Sequence, residues 1–387
     1  MSSLRQAWLS TACVLLGCTG SDASTSATED TAGATTTTTA AETDTGPATS
    51  SVDDTGATDE TSAVPTGCRS GEGPAPFAPD GAAAAPGTLL ADPSAPLPDD
   101  LADVGIYPAA PDLTVVPSGV VPYDPSWPLW SNGSDKHRYL VLPPGTQIDV
   151  GDPSAWRFPA GAVLIKTFLY DDGEGCAVPV ETRVMRMTED GTWDFAAYGW
   201  DETGDTATRL DLTLPVPRPV QVDGESFDHH VPAEIDCRSC HETGVGDALG
   251  LDATQLSQAQ LQMLQPWLSA AVTPTPVTAS DEETEAILGM FVGNCVHCHN
   301  GGDGPAAAFD LRPDVALANT IDQPTESSAS AAGIRIVPGD PDSSILFAAY
   351  SGETDDPEVS PMPPVGVDRR DAVSVERLRT FIEGLRR

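Results

Sequence analysis

Two pentapeptides in the second half of this 387-residue chain share the pattern C-x-x-C-H. They are Cys237-Arg238-Ser239-Cys240-His241 and Cys295-Val296-His297-Cys298-His299. The two thiols of such a motif add to the two vinyl groups on one edge of a porphyrin, and the adjacent imidazole reaches the iron. The sequence therefore predicts two covalently bound haem c groups, with His241 and His299 as proximal iron ligands and with thioether bonds at Cys237, Cys240, Cys295 and Cys298.

Two other roles for these cysteines fit the sequence less well. A zinc ribbon places its two cysteine pairs roughly 15–20 residues apart, which is far less than the interval from Cys240 to Cys295. A dithiol redox motif usually follows a strand in a βαβ unit, and no such unit is indicated here. His297, inside the second motif, is expected to face solvent and not to be a ligand.

Met362 is the favoured second axial ligand of the haem at His299. It lies in Pro361-Met362-Pro363-Pro364, where the flanking prolines restrict the backbone and would hold a thioether toward the iron at little entropic cost. Ligation by Met and His raises the reduction potential of a haem relative to two histidines.

The second ligand of the haem at His241 is left open by the sequence. Met263 and Met290 are candidates, although Met290 is expected to pack in a helix core. His229 and His230, just upstream of the motif, could supply a bis-His pair. A five-coordinate iron that binds ligands or peroxide is the remaining alternative.

The N-terminus has the features of a lipoprotein export signal. Arg5 precedes a mostly apolar run, and Leu15-Leu16-Gly17-Cys18 resembles the lipobox at which a leader is removed and Cys18 is acylated. That run is shorter than the roughly twenty apolar residues of a membrane span. We therefore expect a lipid-anchored protein on the periplasmic side of the outer membrane or at the cell surface.

Cys68 and Cys176 remain once the leader, the lipid and the haem groups are assigned. An exported chain meets an oxidising compartment, so a disulfide between these two cysteines is expected. Two unrelated thiols are the alternative, because spacing along the chain does not show proximity.

The formal net charge of −39 excludes an ordinary nucleic-acid-binding surface, since a duplex repels such a field. It agrees with a solubilising surface, or with steering of a basic redox partner of the periplasm or outer membrane.

Hydrophobic patterning predicts an antiparallel β-sandwich-like domain followed by helices. A helix that leads into C-x-x-C-H, a methionine loop and a terminal amphipathic helix form the arrangement of a small cytochrome c domain, so we expect an α+β multidomain chain that ends in an all-α cytochrome c-like domain. Short alternating runs and turn signals mark the β-rich part, and an apolar stripe of Val375, Leu378, Phe381, Ile382 and Leu385 marks a terminal helix. Ser280-Asp281-Glu282-Glu283 resembles a capping box that begins another helix. The predicted organisation is a signal peptide at 1–17, a disordered Thr/Ala/Ser/Asp-rich tether at 18–66, an irregular Pro/Ala-rich segment at 67–116, the β-rich domain at 117–226, the first haem segment at 227–275 and the cytochrome c-like domain at 280–387.

Five tryptophans fall in the β-rich part, interspersed with the charged residues Lys136, Arg138, Lys166, Glu181 and Arg183. A sugar-binding face would use such aromatics, but core and rim positions of the sheet are the more usual use. The five are Trp127, Trp130, Trp156, Trp193 and Trp200.

Beside the haem signatures, further short motifs extend over about two thirds of the chain, from about Tyr123 to Arg387. They include Pro128-Leu129-Trp130-Ser131 with Lys136 and Arg138, Trp156-Arg157-Phe158-Pro159, Lys166-Thr167-Phe168, Glu181-Thr182-Arg183, Asp310-Leu311-Arg312 and Met362-Pro363-Pro364. Together they resemble a family of secreted dihaem c-type cytochromes, in which a β-rich domain precedes a cytochrome c-like domain. The resemblance implies haem c binding and electron transfer, without indicating the donor or the acceptor. His229 and His230 depart from it, because the relatives have other aromatic residues there.

The function expected from the sequence is electron transfer by a dihaem lipoprotein, which is an electron carrier and not an enzyme. One alternative is a haem oxidoreductase, either peroxidase-like or the cytochrome subunit of a dehydrogenase, with an open first haem. The other is a carbohydrate-binding lipoprotein with accessory haem.

Overall fold

The computed structural model describes residues 92–386 except 111, 114, 154, 172–176, 223, 243–245, 303–308 and 326–332. All of them belong to one compact unit, Ser62–Arg387. The predicted signal peptide, the acylation site Cys18, the tether and the expected disulfide between Cys68 and Cys176 lie outside the described residues.

An antiparallel six-stranded sheet forms the centre of the described fold. Its strands follow one another in chain order, so that each strand pairs with the next, and a separate two-stranded sheet follows. The six strands are β1 (Val121–Pro122), β2 (Asp135–Val141), β3 (Val163–Asp171), β4 (Ala177–Met187), β5 (Trp193–Trp200) and β6 (Ala207–Arg209), and the second sheet is β7 (Val216–Val222) with β8 (Glu225–Val231).

Both faces of the six-stranded sheet are covered. Because side chains alternate between faces along a strand, Val184 points to one side of β4 and Met185 to the other. The Val184 side packs against the N-terminal segment that contains Leu101, and the Met185 side packs against a segment that contains Leu261. The predicted antiparallel sheet is confirmed, with layers of irregular and helical chain covering it.

Seven α-helices occur in the described residues. The segment expected to be irregular contains the first, which is a single turn ended by Gly105 at a φ of 77°. The helices are α1 (Leu101–Val104), α2 (Glu234–His241), α3 (Gln258–Leu264), α4 (Glu282–Asn294), α5 (Ala316–Thr320), α6 (Ile345–Ser351) and α7 (Ala372–Gly384).

Helices α4 and α7 pack together in a third core, and the predicted stripe of α7 buries Leu378, Phe381 and Ile382 there. The start of α4 differs by one residue from the predicted cap, since the Asp281 carboxylate accepts from the Thr284 N–H at 2.8 Å. Isolated backbone bridges, such as Ile321 with Ile336, lie among these helices. No separate all-α cytochrome c-like domain is therefore seen in the residues described.

The loop at 123–134, which leads into β2, joins the sheet to α4. A Cβ atom at Gly289 would lie 2.2 Å from the Trp127 ring, and one at Gly293 would lie 2.7 Å from the Trp127 carbonyl oxygen. The neighbouring Trp130 N–H donates to Asn294 Oδ1 at 2.9 Å. The bare face of α4 is therefore what allows the loop to approach so closely.

Substitution Gly289→Ala should lower the free energy of unfolding by about 1–3 kcal/mol, because the added methyl group displaces the Trp127 ring. Gly384→Ala in α7 is the matched control. A Cβ there meets nothing within 4 Å, and the higher helix propensity of Ala should leave stability equal or slightly higher. Urea unfolding of the two variants measures both effects, and equal stabilities would contradict the packing described.

Candidate functional site

The first motif lies on α2, directly after the second sheet. Cys237 and Cys240 are three residues apart, and His241 is four residues after Cys237, so the three side chains share one face of the helix. The Ala233 N–H donates to the Asp236 carboxylate at 3.1 Å, which satisfies one donor at the start of the helix. This short helix thus presents all three predicted haem-binding groups in one direction.

The second motif forms a turn at the end of α4. The Cys295 N–H still donates to the Phe291 carbonyl, at 2.8 Å, and the His299 N–H then donates to the Cys295 carbonyl at 2.9 Å. The His299 ring packs edge-on against Phe309 at a centroid distance of 5.1 Å. The second motif therefore begins where α4 ends, whereas the first lies within α2.

The two motifs meet in space, although Cys240 and Cys298 are 58 positions apart in the sequence. The Sγ atoms of Cys240 and Cys298 and a ring nitrogen of His297 all lie within 4.8 Å of one another. A hydrogen bond with Cys298 and the nearby His297 ring lower the pKa of Cys240, and the same bond raises the pKa of Cys298. The sequence did not predict this contact, and His297, which was expected to face solvent, is half-buried within it.

His241 is oriented by its second nitrogen. Its Nδ1 lies 2.7 Å from the Asp247 carbonyl oxygen, which only accepts, so Nδ1 carries the proton and Nε2 has the lone pair. Burial, together with the charge of Lys166, lowers the pKa of His241 to about 4, so the imidazole is neutral at physiological pH. A neutral imidazole held in this way is a suitable metal ligand.

Two cavities adjoin the motifs, with volumes of about 220 and 280 Å³. Cys237, Cys240, His241 and Cys298 line the first, and Trp127 lies in the wall of the second. Both cavities are lined by Leu129, Lys166, Leu249 and His297. The two spaces therefore lie on either side of a shared wall at the meeting point of the motifs.

One face of the sheet carries four neighbouring basic side chains beside these cavities, which we call the cationic ladder: Lys136, Arg138, Lys166 and Arg183. In the strand register Arg138 is opposite Lys166, and Lys166 is opposite Arg183. Phe168 lies below them, 4.4 Å from the Arg183 guanidinium. Burial, and then repulsion by the two arginines, lowers the pKa of both lysines to about 7.

Glu181 is fully buried beside the ladder and joins it to the second sheet. Its carboxylate accepts from Arg183 at 2.9 Å and from His229 Nε2 at 2.9 Å, and the other nitrogen of His229 bonds to the Tyr170 hydroxyl. Burial alone would raise the pKa of Glu181, but Arg183 and the hydrogen bond from His229 hold it at about 2. Both nitrogens of His229 are thus engaged away from the motifs.

The other candidate axial ligands are placed as follows. His230 Nδ1 bonds to Asp368 Oδ1 at 2.7 Å, and Met290 is buried in the core between α4 and α7, as expected. Neither Met263 nor Met362 is part of the cavity walls described above, although Pro363 and Pro364 line the first cavity. Met185, which the sequence analysis missed, lines that cavity with His241. The only sequence feature that indicated Met185 was the alternation of β4, which places this residue on the same face as Arg183.

The tryptophans form core and contacts between elements, which agrees with the interpretation favoured from the sequence. Trp156, Trp193 and Trp200 are buried. Trp127 packs on α4, and Trp130 Nε1 donates to the Arg369 carbonyl at 2.7 Å. They do not make an exposed stacking face for a sugar.

Comparisons of this chain with protein families, with characterised proteins and with solved structures find no match. In the part of the chain that the structure describes, no helix has both the length and the apolar character needed to cross a bilayer.

The donor groups at the motifs are compatible with haem c. Each motif offers two thiols and an adjacent imidazole, and His241 has the hydrogen-bonded Nδ1 that metal-binding histidines usually have. The cavity volumes are smaller than typical small-molecule pockets of about 300–1,000 Å³. The motifs therefore fit haem c by the chemistry of their donor groups and not by the volumes of the cavities.

Glu181→Gln should lower the free energy of unfolding at neutral pH by about 3–5 kcal/mol, because it leaves Arg183 without its buried counter-charge. The pKa of Glu181 lies below the ordinary value of 4.5, so its stabilising contribution is complete above pH 4.5 and is lost as the pH falls towards 2. The variant should accordingly lose less stability than the wild type over that interval.

Chemical denaturation at several pH values measures this effect. Glu225→Gln is the control, since that side chain is 77% exposed and 3.8 Å from Arg369, and it should change stability by less than about 0.5 kcal/mol. Equal effects of the two substitutions would show that the Glu181 network does not stabilise the sheet.

Proposed function

We propose that this chain is a dihaem c-type cytochrome that transfers electrons between redox partners. When bound, haem c supplies a reversible one-electron change at iron. The residues proposed to hold it are Cys237, Cys240 and His241 at one haem, and Cys295, Cys298 and His299 at the other.

The observation that carries this proposal is the contact between the motifs. Attachment motifs that served independent cofactors would have no reason to adjoin, whereas Cys240 and Cys298 are within 4.8 Å in this fold. Each of these sulfurs would be bonded to the edge of one macrocycle. Haems attached at these sulfurs would have neighbouring edges, and a short separation favours rapid electron transfer between them.

Met362 is proposed as the second axial ligand at His299. Hydrogen bonds hold the backbone of this residue on both sides. The Met362 N–H donates to the Ala349 carbonyl at 2.9 Å, and Arg370 Nη1 donates to the Met362 carbonyl at 2.7 Å. The next two residues, Pro363 and Pro364, line the first cavity, which Cys298 also lines. In this proposal the four helices around the second motif form a cytochrome c-like module, and the sheet with its hairpin corresponds to the sandwich-like domain.

The second ligand at His241 decides between carrier and enzyme. His229 and His230 are engaged with acidic partners, which leaves Met185 and His297 as the candidates that line the same cavity. Ligation by either side chain supports an electron carrier. An iron without a second protein ligand would instead support the peroxidase-like or dehydrogenase-subunit alternative.

The lipid anchor at Cys18, the periplasmic or cell-surface location and the redox partners are proposed from the sequence alone. The acidic chain favours a partner with a basic docking surface, because complementary charge accelerates encounter.

A second candidate function is a metal-ion centre formed by Cys240, His297 and Cys298. Three ligands with one open position are typical of catalytic zinc sites, and the ligand atoms here are close enough to converge. The same thiols cannot serve both purposes, since a thioether sulfur is no longer a thiolate. The two candidates therefore predict different cofactors.

We expect two haem groups per chain when the protein is matured in cells that carry a cytochrome c assembly system. Ser substitution of both cysteines in either motif should reduce the count to one. A pyridine haemochrome assay and intact mass measure the count, and metal analysis of the same samples measures zinc. A colourless protein with one zinc ion per chain would replace the cytochrome proposal with the metal-ion centre.

The contact between the motifs can be tested in protein made without haem attachment. A variant with Cys237 and Cys295 replaced by Ser keeps only Cys240 and Cys298 in the motifs, and mild oxidation should join these two in a disulfide. The matched control, with Cys240 and Cys298 replaced instead, should cross-link more slowly, because its two cysteines pack in different cores. Peptide mass spectrometry identifies the linkage, and equal rates would contradict the contact.

A further inference from the structure

The cationic ladder is unusual in so acidic a chain. Lys and Arg together number 19 against 58 Asp and Glu, yet four of the basic residues occupy adjacent positions on β2, β3 and β4. Like charges placed side by side repel one another, and burial increases the cost. Anionic groups that offset the charge would stabilise such an arrangement.

The acidic side chains at the ladder balance only part of its positive charge. Arg138 pairs with Asp124 at 2.8 Å, and Arg183 pairs with Glu181, which is shared with His229. Among the residues described, neither Lys136 nor Lys166 has an acidic partner within 4.0 Å; the Lys136 ammonium donates to the Ser134 carbonyl at 3.2 Å. The two lysine side chains thus line the cavities without an acidic partner.

The position of the ladder indicates what kind of anion it binds. Lys166 belongs to the walls of both cavities, Arg183 to the first, and Lys136 and Arg138 to the second. Along the same face of the sheet the strands then become apolar, with Leu164 beside Lys166 and Met185 beside Arg183. The surface therefore suits a ligand with a large apolar body and carboxylates at one edge.

We propose that the cationic ladder is a carboxylate-binding site, and that the carboxylates are the propionate groups of the haems attached at the two motifs. The identity of the carboxylates rests on the proposed function, whereas the assignment of the ladder as a carboxylate-binding site does not. Lys166 would contribute to both cavities as a point charge, and Arg138 and Arg183 would donate the N–H groups that Asp124 and Glu181 do not engage. The sheet would then bind the cofactors, in addition to packing against the motifs.

Lys166→Gln removes one positive charge at the shared wall, and Lys166→Arg retains it. Arg377→Gln is the matched control, because this side chain on α7 is 46% exposed and lies outside the cavity walls. In holoprotein with two haems, Lys166→Gln should shift a midpoint potential to lower values and alter the propionate bending band in the resonance Raman spectrum. Lys166→Arg should restore both, and Arg377→Gln should change neither.

Titration with succinate distinguishes the propionates from a free carboxylate ligand. Wild-type holoprotein should show no saturable succinate binding by calorimetry, since the propionates would occupy the ladder. Saturable binding that is lost in Lys166→Gln would retain the carboxylate site but overturn the propionate assignment. If Lys166→Gln shifts neither the potential nor the Raman band and succinate does not bind, the ladder is not a carboxylate site. Protein that carries no haem would refute the proposed function separately, and succinate titration of that protein would still test the ladder.

Discussion

The approach of Trp127 to the glycine face of α4 fixes the geometry on which the rest of the site depends. Helix α4 holds the second motif at its C-terminal end, and the loop that contains Trp127 leads into the sheet, whose Met185 face packs against Cys237 of the first motif. Without side chains at Gly289 and Gly293, the helix lies directly against the loop. The two motifs therefore belong to one packed unit, although they are carried by different helices.

The sheet serves two purposes because its two faces differ. The face that contains Val184 packs against the N-terminal segment and contributes only to stability. The face that contains Met185 is apolar at one end and basic at the other, and both cavities lie over it. A ligand with an apolar body and acidic edge would match this change along the strands.

The sequence was most informative where the signal is local. The apolar stripe of α7 and the alternation of the strands each depend on residues a few positions apart, and the corresponding helix and sheet are present. The C-x-x-C-H spacing is equally local, but what it predicts is a cofactor, and this stays a prediction. The cap of α4 was predicted one residue early, because Ser280 and Asp281 both offer an oxygen to the first turn and only the backbone geometry selects between them.

Contacts between distant segments were not predictable in the same way. The meeting of Cys240 with Cys298 depends on how a loop, a helix and a hairpin pack, and no spacing along the chain encodes it. His297 was expected to face solvent because a variable position within a motif usually does so, but the adjoining motif leaves it only partly exposed. The basic residues were visible in the sequence as a scattered set, and only the strand register shows that they are neighbours.

The hydrogen bonds of His229 have a consequence for how cofactor residues in this protein would be recognised. This side chain ties β8 to the buried Glu181, and α2 begins only a few residues later, at Glu234. Loss of the imidazole would release the strand that delivers the first motif. If the proposed haems are bound, a genetic screen for bleached colonies would return His229 beside the proposed ligands His241 and His299, and histidine loss alone would overstate the number of imidazoles that touch iron.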